Sequence, residues 1–113
     1  MADDCLFCRI VRQEIEVPFV QSTADWVAFR DINPQAPTHI LVVPREHIPS
    51  LNEAKDPTIV GTLSLAAKEI AKSEGIAESG YRTVINTNRD AGQTVLHLHL
   101  HLLGGRAMSW PPG

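Results

Sequence analysis

The chain has 113 residues, 43% of them hydrophobic and 20% charged, which fits one globular domain spanning residues 1–113. A formal charge of −3 argues against a nucleic-acid partner, which needs a basic face, and no apolar run approaches the roughly 20 residues that cross a membrane. The start, Met1-Ala2-Asp3-Asp4, is acidic and lacks the apolar centre of a signal peptide, so a reducing, cytoplasmic setting is expected. There Cys5 and Cys8 serve as thiols or metal ligands rather than as a structural disulfide.

In chain order, Leu6, Phe7, Ile10 and Val11 have helical spacing and predict a short helix between Cys5 and Gln13. Val17-Pro18-Phe19-Val20 reads as extended, because proline disfavours helix just before itself. Trp26 to Phe29 is a strand, followed by a loop over Asn33-Pro34-Gln35-Ala36-Pro37. His39 to Pro44 is a β-branched strand ended by proline. The main helix runs from Pro57 to about Ser73, with Asp56 as its cap, proline in its first turn and Gly75 after its end. Ile59, Val60, Leu63, Ala66, Ala67 and Ile70 form its apolar stripe. Tyr81 to Asn86 is a strand that the turn formers Asn88 to Gly92 join, as a hairpin, to Leu96–Leu103. The expected fold is α+β, a mostly antiparallel sheet with one long and one short helix. A chain this short buries a limited share of its surface, which makes dimerisation a natural supplement.

Leu96-His97-Leu98-His99-Leu100-His101-Leu102 alternates two residue types, and a strand turns alternation into two faces. Leu96, Leu98, Leu100 and Leu102 are then core, and His97, His99 and His101 line the opposite face. Three imidazoles in strict alternation suit either a metal site or nucleophilic and acid–base chemistry, since neutral imidazole is both a ligand and a nucleophile. Spacing alone leaves both open. There is no phosphate-binding glycine loop of the Walker or dinucleotide type.

The segment His97-Leu98-His99-Leu100-His101-Leu102-Leu103 matches the His-x-His-x-His-x-x pattern of the histidine triad family, and the resemblance covers the whole chain. Asp31 to His39 resembles the family's substrate loop, and Gly92-Gln93-Thr94-Val95 the approach to the triad. Gly104-Gly105-Arg106 and Trp110-Pro111-Pro112-Gly113 resemble the Hint branch. The resemblance implies a five-stranded antiparallel sheet that dimerises into a continuous ten-stranded sheet. It implies a homodimeric hydrolase or transferase that acts on the α-phosphate of purine nucleoside phosphoramidates, with no cofactor for catalysis. His99 would be the nucleophile, His101 would bond the phosphate and assist the leaving group, His97 would hold His99 through its carbonyl, and His39 would support them. Asn86, Gly92, Gln93 and Thr94 would face the phosphate and Asp31 the ribose hydroxyls. Phe7, Ile10, Phe29, Ile32 and Leu41 would form the base pocket, although by composition alone these five are equally plain core. Trp110 would reach the partner's site. Thr94 stands where many relatives carry serine, and Arg30 and Ser109 where some carry histidine. Sister branches cleave dinucleoside polyphosphates or transfer nucleotides between sugar phosphates, and a nucleotide-binding interaction module is a third role.

Cys5-x-x-Cys8 by itself suits a redox pair, two buried thiols or a metal site, and the redox reading wants a βαβ context that is absent. By the same resemblance, some members carry such a pair as part of a structural zinc site. The corresponding ligands here are Cys5, Cys8, His47 and His97, a set that closes a tetrahedron.

Overall fold

A computed structural model describes residues 4–113. The strands are β1 (Gln21–Ser22), β2 (Trp26–Arg30), β3 (Thr38–Pro44), β4 (Tyr81–Val84) and β5 (Leu100–Gly104). They form one sheet in the order β1-β2-β3-β5-β4, with every neighbouring pair antiparallel. The helices are α1 (Leu6–Val11), α2 (Pro57–Ser73) and a single turn, α3 (Asn88–Ala91). The expected α+β class and the five-stranded antiparallel sheet are therefore found.

The sheet separates two cores. Trp26, Ala28, Ile40, Val42, Leu98, Leu100 and Leu102 pack against Leu63, Ala67 and Ile70 of α2. On the other face Val27, Phe29, Leu41 and Val43 pack against Phe7 and Ile10 of α1. Central strand β3 is buried at all seven positions, which explains its unbroken apolar run. Helix α2 has the predicted bounds because its signals are local. The Asp56 carboxylate accepts the Thr58 N–H at 2.9 Å, Pro57 needs no partner in the first turn, and Gly75 adopts φ +77° just past the end. In α1 the N-cap is Cys5, whose sulfur accepts the Cys8 N–H at 3.4 Å.

Three expectations need correction. The predicted Tyr81–Asn86 strand stops at Val84. It pairs with β5, but through residues 85–99 rather than a tight hairpin. The third concerns the histidine segment, which enters the ladder only at Leu100, so His97 and His99 precede the strand. Its backbone groups are committed elsewhere: His97 N–H bonds Val95 O at 2.9 Å, Leu98 N–H bonds Ile48 O at 2.6 Å, and the His97 carbonyl accepts a bond from the His99 ring. Leu96 is 59% exposed and not core. The alternation nevertheless survives, because Leu98, Leu100 and Leu102 join the α2 core while the three rings lie on the α1 side against Phe7 and one another.

Candidate active site

A cavity of about 330 Å³ opens between α1, the ends of β2 and β5, and the 92–95 segment. That size suits a small ligand. The lining combines apolar Phe7, Ile10, Phe29, Ile32 and Leu41 with Asp31, Asn86, Gly92, Thr94, His99 and His101. Leu6, Val17 and Val95 also line it and were not foreseen; as isolated apolar residues they carry no signal beyond ordinary burial. The Phe7 ring packs edge-on, its centre 4.9 Å from that of His99 and 5.6 Å from that of Phe29.

Hydrogen bonds set the protonation of each ring. The Gln35 N–H donates to His39 Nδ1 at 3.0 Å, so the proton of neutral His39 sits on Nε2. That Nε2–H lies 2.9 Å from His101 Nδ1, which must accept, and His101 then carries its own proton on Nε2. His99 Nδ1–H donates to the His97 carbonyl at 2.6 Å and leaves Nε2 with a lone pair. His97 Nε2–H donates to the Pro44 carbonyl at 2.8 Å and leaves Nδ1 free to bind. The three triad rings are thus unequal: a lone pair on His99 and an N–H on His101 in the cavity lining, and His97 behind them.

Burial keeps these rings neutral. It lowers His97 and His101 to about 4, the neighbouring histidines adding to the effect at each. His39 and His99 are also lowered by burial, partly opposed by Asp31 at His39 and by the His97 carbonyl at His99. Asp31, His39 and His101 also converge. However, the Gln35 N–H holds His39 in the form whose Nε2 is protonated, so this trio reads as a hydrogen-bond relay rather than a ligand set.

One predicted substrate contact, the Gln93 side chain, is engaged elsewhere. The Gln93 side chain turns inward: Oε1 accepts the Asn88 N–H at 2.9 Å, and Nε2 donates to Pro49 O at 2.8 Å and Val95 O at 3.1 Å. It braces the 88–95 loop by answering the Asn88 N–H and the Val95 carbonyl within it, and it ties the loop to Pro49 outside it. The N–H groups of Gly92 and Gln93 are likewise taken, by Arg89 O and Asn88 O. Trp110, expected to reach a partner's site rather than this one, is 81% exposed and lies outside this cavity; Arg82 holds the tail along edge strand β4 through a 3.1 Å bond to Ser109 O, with its guanidinium 5.9 Å from the indole centre. Arg30 lines the cavity, yet its guanidinium pairs with Glu74 at 2.9 Å.

Behind the triad, Cys5, Cys8, His47 and His97 bring their ligand atoms within 4.8 Å of one another. Tetrahedral zinc, with bonds of about 2.0–2.1 Å to nitrogen and about 2.3 Å to sulfur, sets nitrogen pairs about 3.3 Å apart and nitrogen–sulfur pairs about 3.5 Å apart. Here His47 Nδ1 and His97 Nδ1 are 3.3 Å apart, and the sulfur–nitrogen distances are 3.2 Å (Cys8–His47), 3.3 Å (Cys5–His97) and 3.5 Å (Cys8–His97). The donor set fits a divalent metal, and the Pro44 carbonyl orients one ligand from outside, as ligating histidines require.

The sheet, the relay and the inequivalent triad rings define a histidine triad protein. The HIT domain signature matches residues 12–108, and the chain belongs to that family. It is 48% identical over 110 residues to the purine nucleoside phosphoramidase of Escherichia coli K12, covering 96% of this chain and 92% of that one. A HIT family hydrolase from Legionella pneumophila superposes with a TM-score of 0.95 at 48% identity, covering 97% of this chain and all of the other. A zinc-bound histidine triad protein from Mycobacterium smegmatis aligns at TM-score 0.84 and 26% identity, over 100% of this chain and 82% of that one.

Proposed function

We propose that this protein hydrolyses purine nucleoside phosphoramidates, such as adenosine 5′-monophosphoramidate, through a nucleotidyl intermediate on His99. The observation that carries this reading is the lone pair on His99 Nε2 beside the N–H of His101 in one nucleotide-sized cavity. The base lies among Phe7, Ile10, Phe29, Ile32 and Leu41, the ribose hydroxyls bond Asp31, and Asn86 and Thr94 flank the phosphate. Gly92 shapes that rim and Gln93 braces it from inside.

His99 Nε2 attacks the α-phosphorus as the bond to the leaving amine breaks. The amine takes that bond's electron pair and a proton from solvent passed by way of His101. Water then adds to phosphorus, releases a proton, and frees His99. His101 Nε2–H is a fixed donor to the charge that develops on the way, which is where such a bond lowers a barrier most. His39 holds His101, and the His97 carbonyl holds His99. Zinc on Cys5, Cys8, His47 and His97 would be structural, since four protein ligands leave no open position. A homodimer would pair exposed edges into a longer sheet and bring Trp110 to the partner's site.

Turnover of a fluorogenic adenosine phosphoramidate by the wild type and His99→Ala tests the reading. Loss of about 10³-fold or more in kcat with nucleotide binding retained is expected. A variant that keeps a tenth of wild-type activity overturns it. Faster cleavage of dinucleoside polyphosphates would move the protein to the sister activity.

A further inference from the structure

We propose that Arg106, which lies outside the nucleotide cavity, is a positioning residue for this reaction, acting through Gln35 and His39 on His101. The inference rests on the catalytic reading above. The proton arrangement of His39 and His101 rests on the Gln35 N–H at His39 Nδ1, with the Asp31 carboxylate 3.5 Å from His39 Nε2 favouring the same form, and Gln35 stands at the exposed apex of the 31–39 loop.

The loop braces its own base. Asp31 N–H bonds His39 O at 3.0 Å, Asn33 N–H bonds Asp31 Oδ1 at 2.8 Å, and the Gln35 amide donates to Asn33 O at 3.1 Å. The apex is tied to the rest of the molecule by Arg106, whose Nε–H donates to the Gln35 carbonyl at 2.9 Å. Its Nη1–H also donates to Ala107 O at 3.2 Å, which holds the guanidinium in place. The preceding residue, Gly105, packs so close to Pro37 that even a methyl has no room. The exit of β5 therefore leans on the loop twice, by a hydrogen bond and by contact.

Releasing the apex lets the Gln35 N–H leave His39 Nδ1. His39 then takes its proton on either nitrogen, and Asp31 alone is left to favour Nε2. With the proton on Nδ1, His39 offers His101 a lone pair, and His101 must answer with Nδ1–H. Its Nε2 then becomes an acceptor, and the donor that the reaction needs has turned into a group that repels phosphate oxygen. An interaction that matters most in the transition state lowers kcat when lost, with little effect on KM.

Nitrogen-15 NMR of the histidine rings without substrate reads the tautomers directly, in the wild type, Arg106→Ala and Arg106→Lys. The wild type should show His101 protonated on Nε2, Arg106→Ala a mixture, and Arg106→Lys, which keeps a donor, mostly the wild-type form. In turnover, Arg106→Ala should lose roughly tenfold in kcat with KM within about twofold. Added to His39→Ala, it should change kcat by less than about twofold, because its route runs through His39. An unchanged His101 tautomer in Arg106→Ala overturns the proposal, and so does a full tenfold loss in the His39→Ala background. If the wild type turns over no phosphoramidate, the catalytic reading fails, while the tautomer comparison still decides whether Arg106 sets His101.

Discussion

Gly105→Ala bears on both the fold and the site. Gly105 has φ +89°, and a Cβ built there meets Pro37 Cβ at 2.9 Å and Cγ at 3.3 Å. The left-handed backbone costs a residue with a Cβ about 1–2 kcal/mol. Forcing a methyl against a rigid ring adds about 1–3 kcal/mol. The sum, about 2–5 kcal/mol, converts at about 4 °C per kcal/mol for a chain of this length into a melting point lowered by roughly 8–20 °C. Because Pro37 lies between Gln35 and His39, kcat should fall as well. Gly61→Ala is the contrast: it stands inside α2 and, apart from the helix's own neighbouring backbone, nothing lies within 4 Å of a Cβ built there, so it should stabilise by about 0.5–1 kcal/mol. Calorimetry at fixed protein concentration, beside steady-state turnover, measures both. A Gly105→Ala melting point within about 3 °C of wild type, with unchanged kcat, would refute the argument that this turn supports the loop.

Three further outcomes are expected. Protein purified under reducing conditions should carry close to one zinc per chain by elemental analysis, and Cys8→Ser should lower both zinc content and melting temperature; a metal-free wild type that melts as high as the zinc-loaded one would contradict a structural metal. Stability should fall with acid because His101 sits at about 4 when folded and at 6.5 when unfolded. The unfolded chain takes up that proton first, so the loss accumulates between about pH 6.5 and 4 and has no counterpart above, and melting curves should fall less steeply over this window in His101→Gln. Gln93→Ala leaves the Asn88 N–H and the Pro49 and Val95 carbonyls without its amide and should cost about 2–4 kcal/mol in urea unfolding, whereas a change below about 0.5 kcal/mol would mean the loop is braced otherwise.

How much could be read from the sequence follows from how local each signal is. Helix α2 was legible to the residue because cap, proline and glycine act within a turn of their own position. Strand β3 was legible because burial on both faces leaves an apolar run. The triad was legible as alternation, but its strand boundary was not: the His97 carbonyl could have served the ladder or the His99 ring, and only the folded arrangement decides. Gln93 shows the same limit, since an amide beside a phosphate loop suits the ligand or the loop's own carbonyls equally well. The metal cluster joins positions 5 and 8 to 47 and 97, and the family resemblance rather than spacing connected them. Arg106 gave no signal beyond its place after two glycines, because its partner is a backbone carbonyl far away in the chain.

The central claim is that His99 carries the nucleotide during turnover. The most direct measurement is mass spectrometry of protein acid-quenched during reaction with an adenosine phosphoramidate, followed by peptide mapping. The account predicts an adduct of one nucleoside monophosphate on the peptide containing His99, absent from His99→Ala. Undiminished turnover without that adduct, or the adduct on His97 or His101 instead, would contradict it.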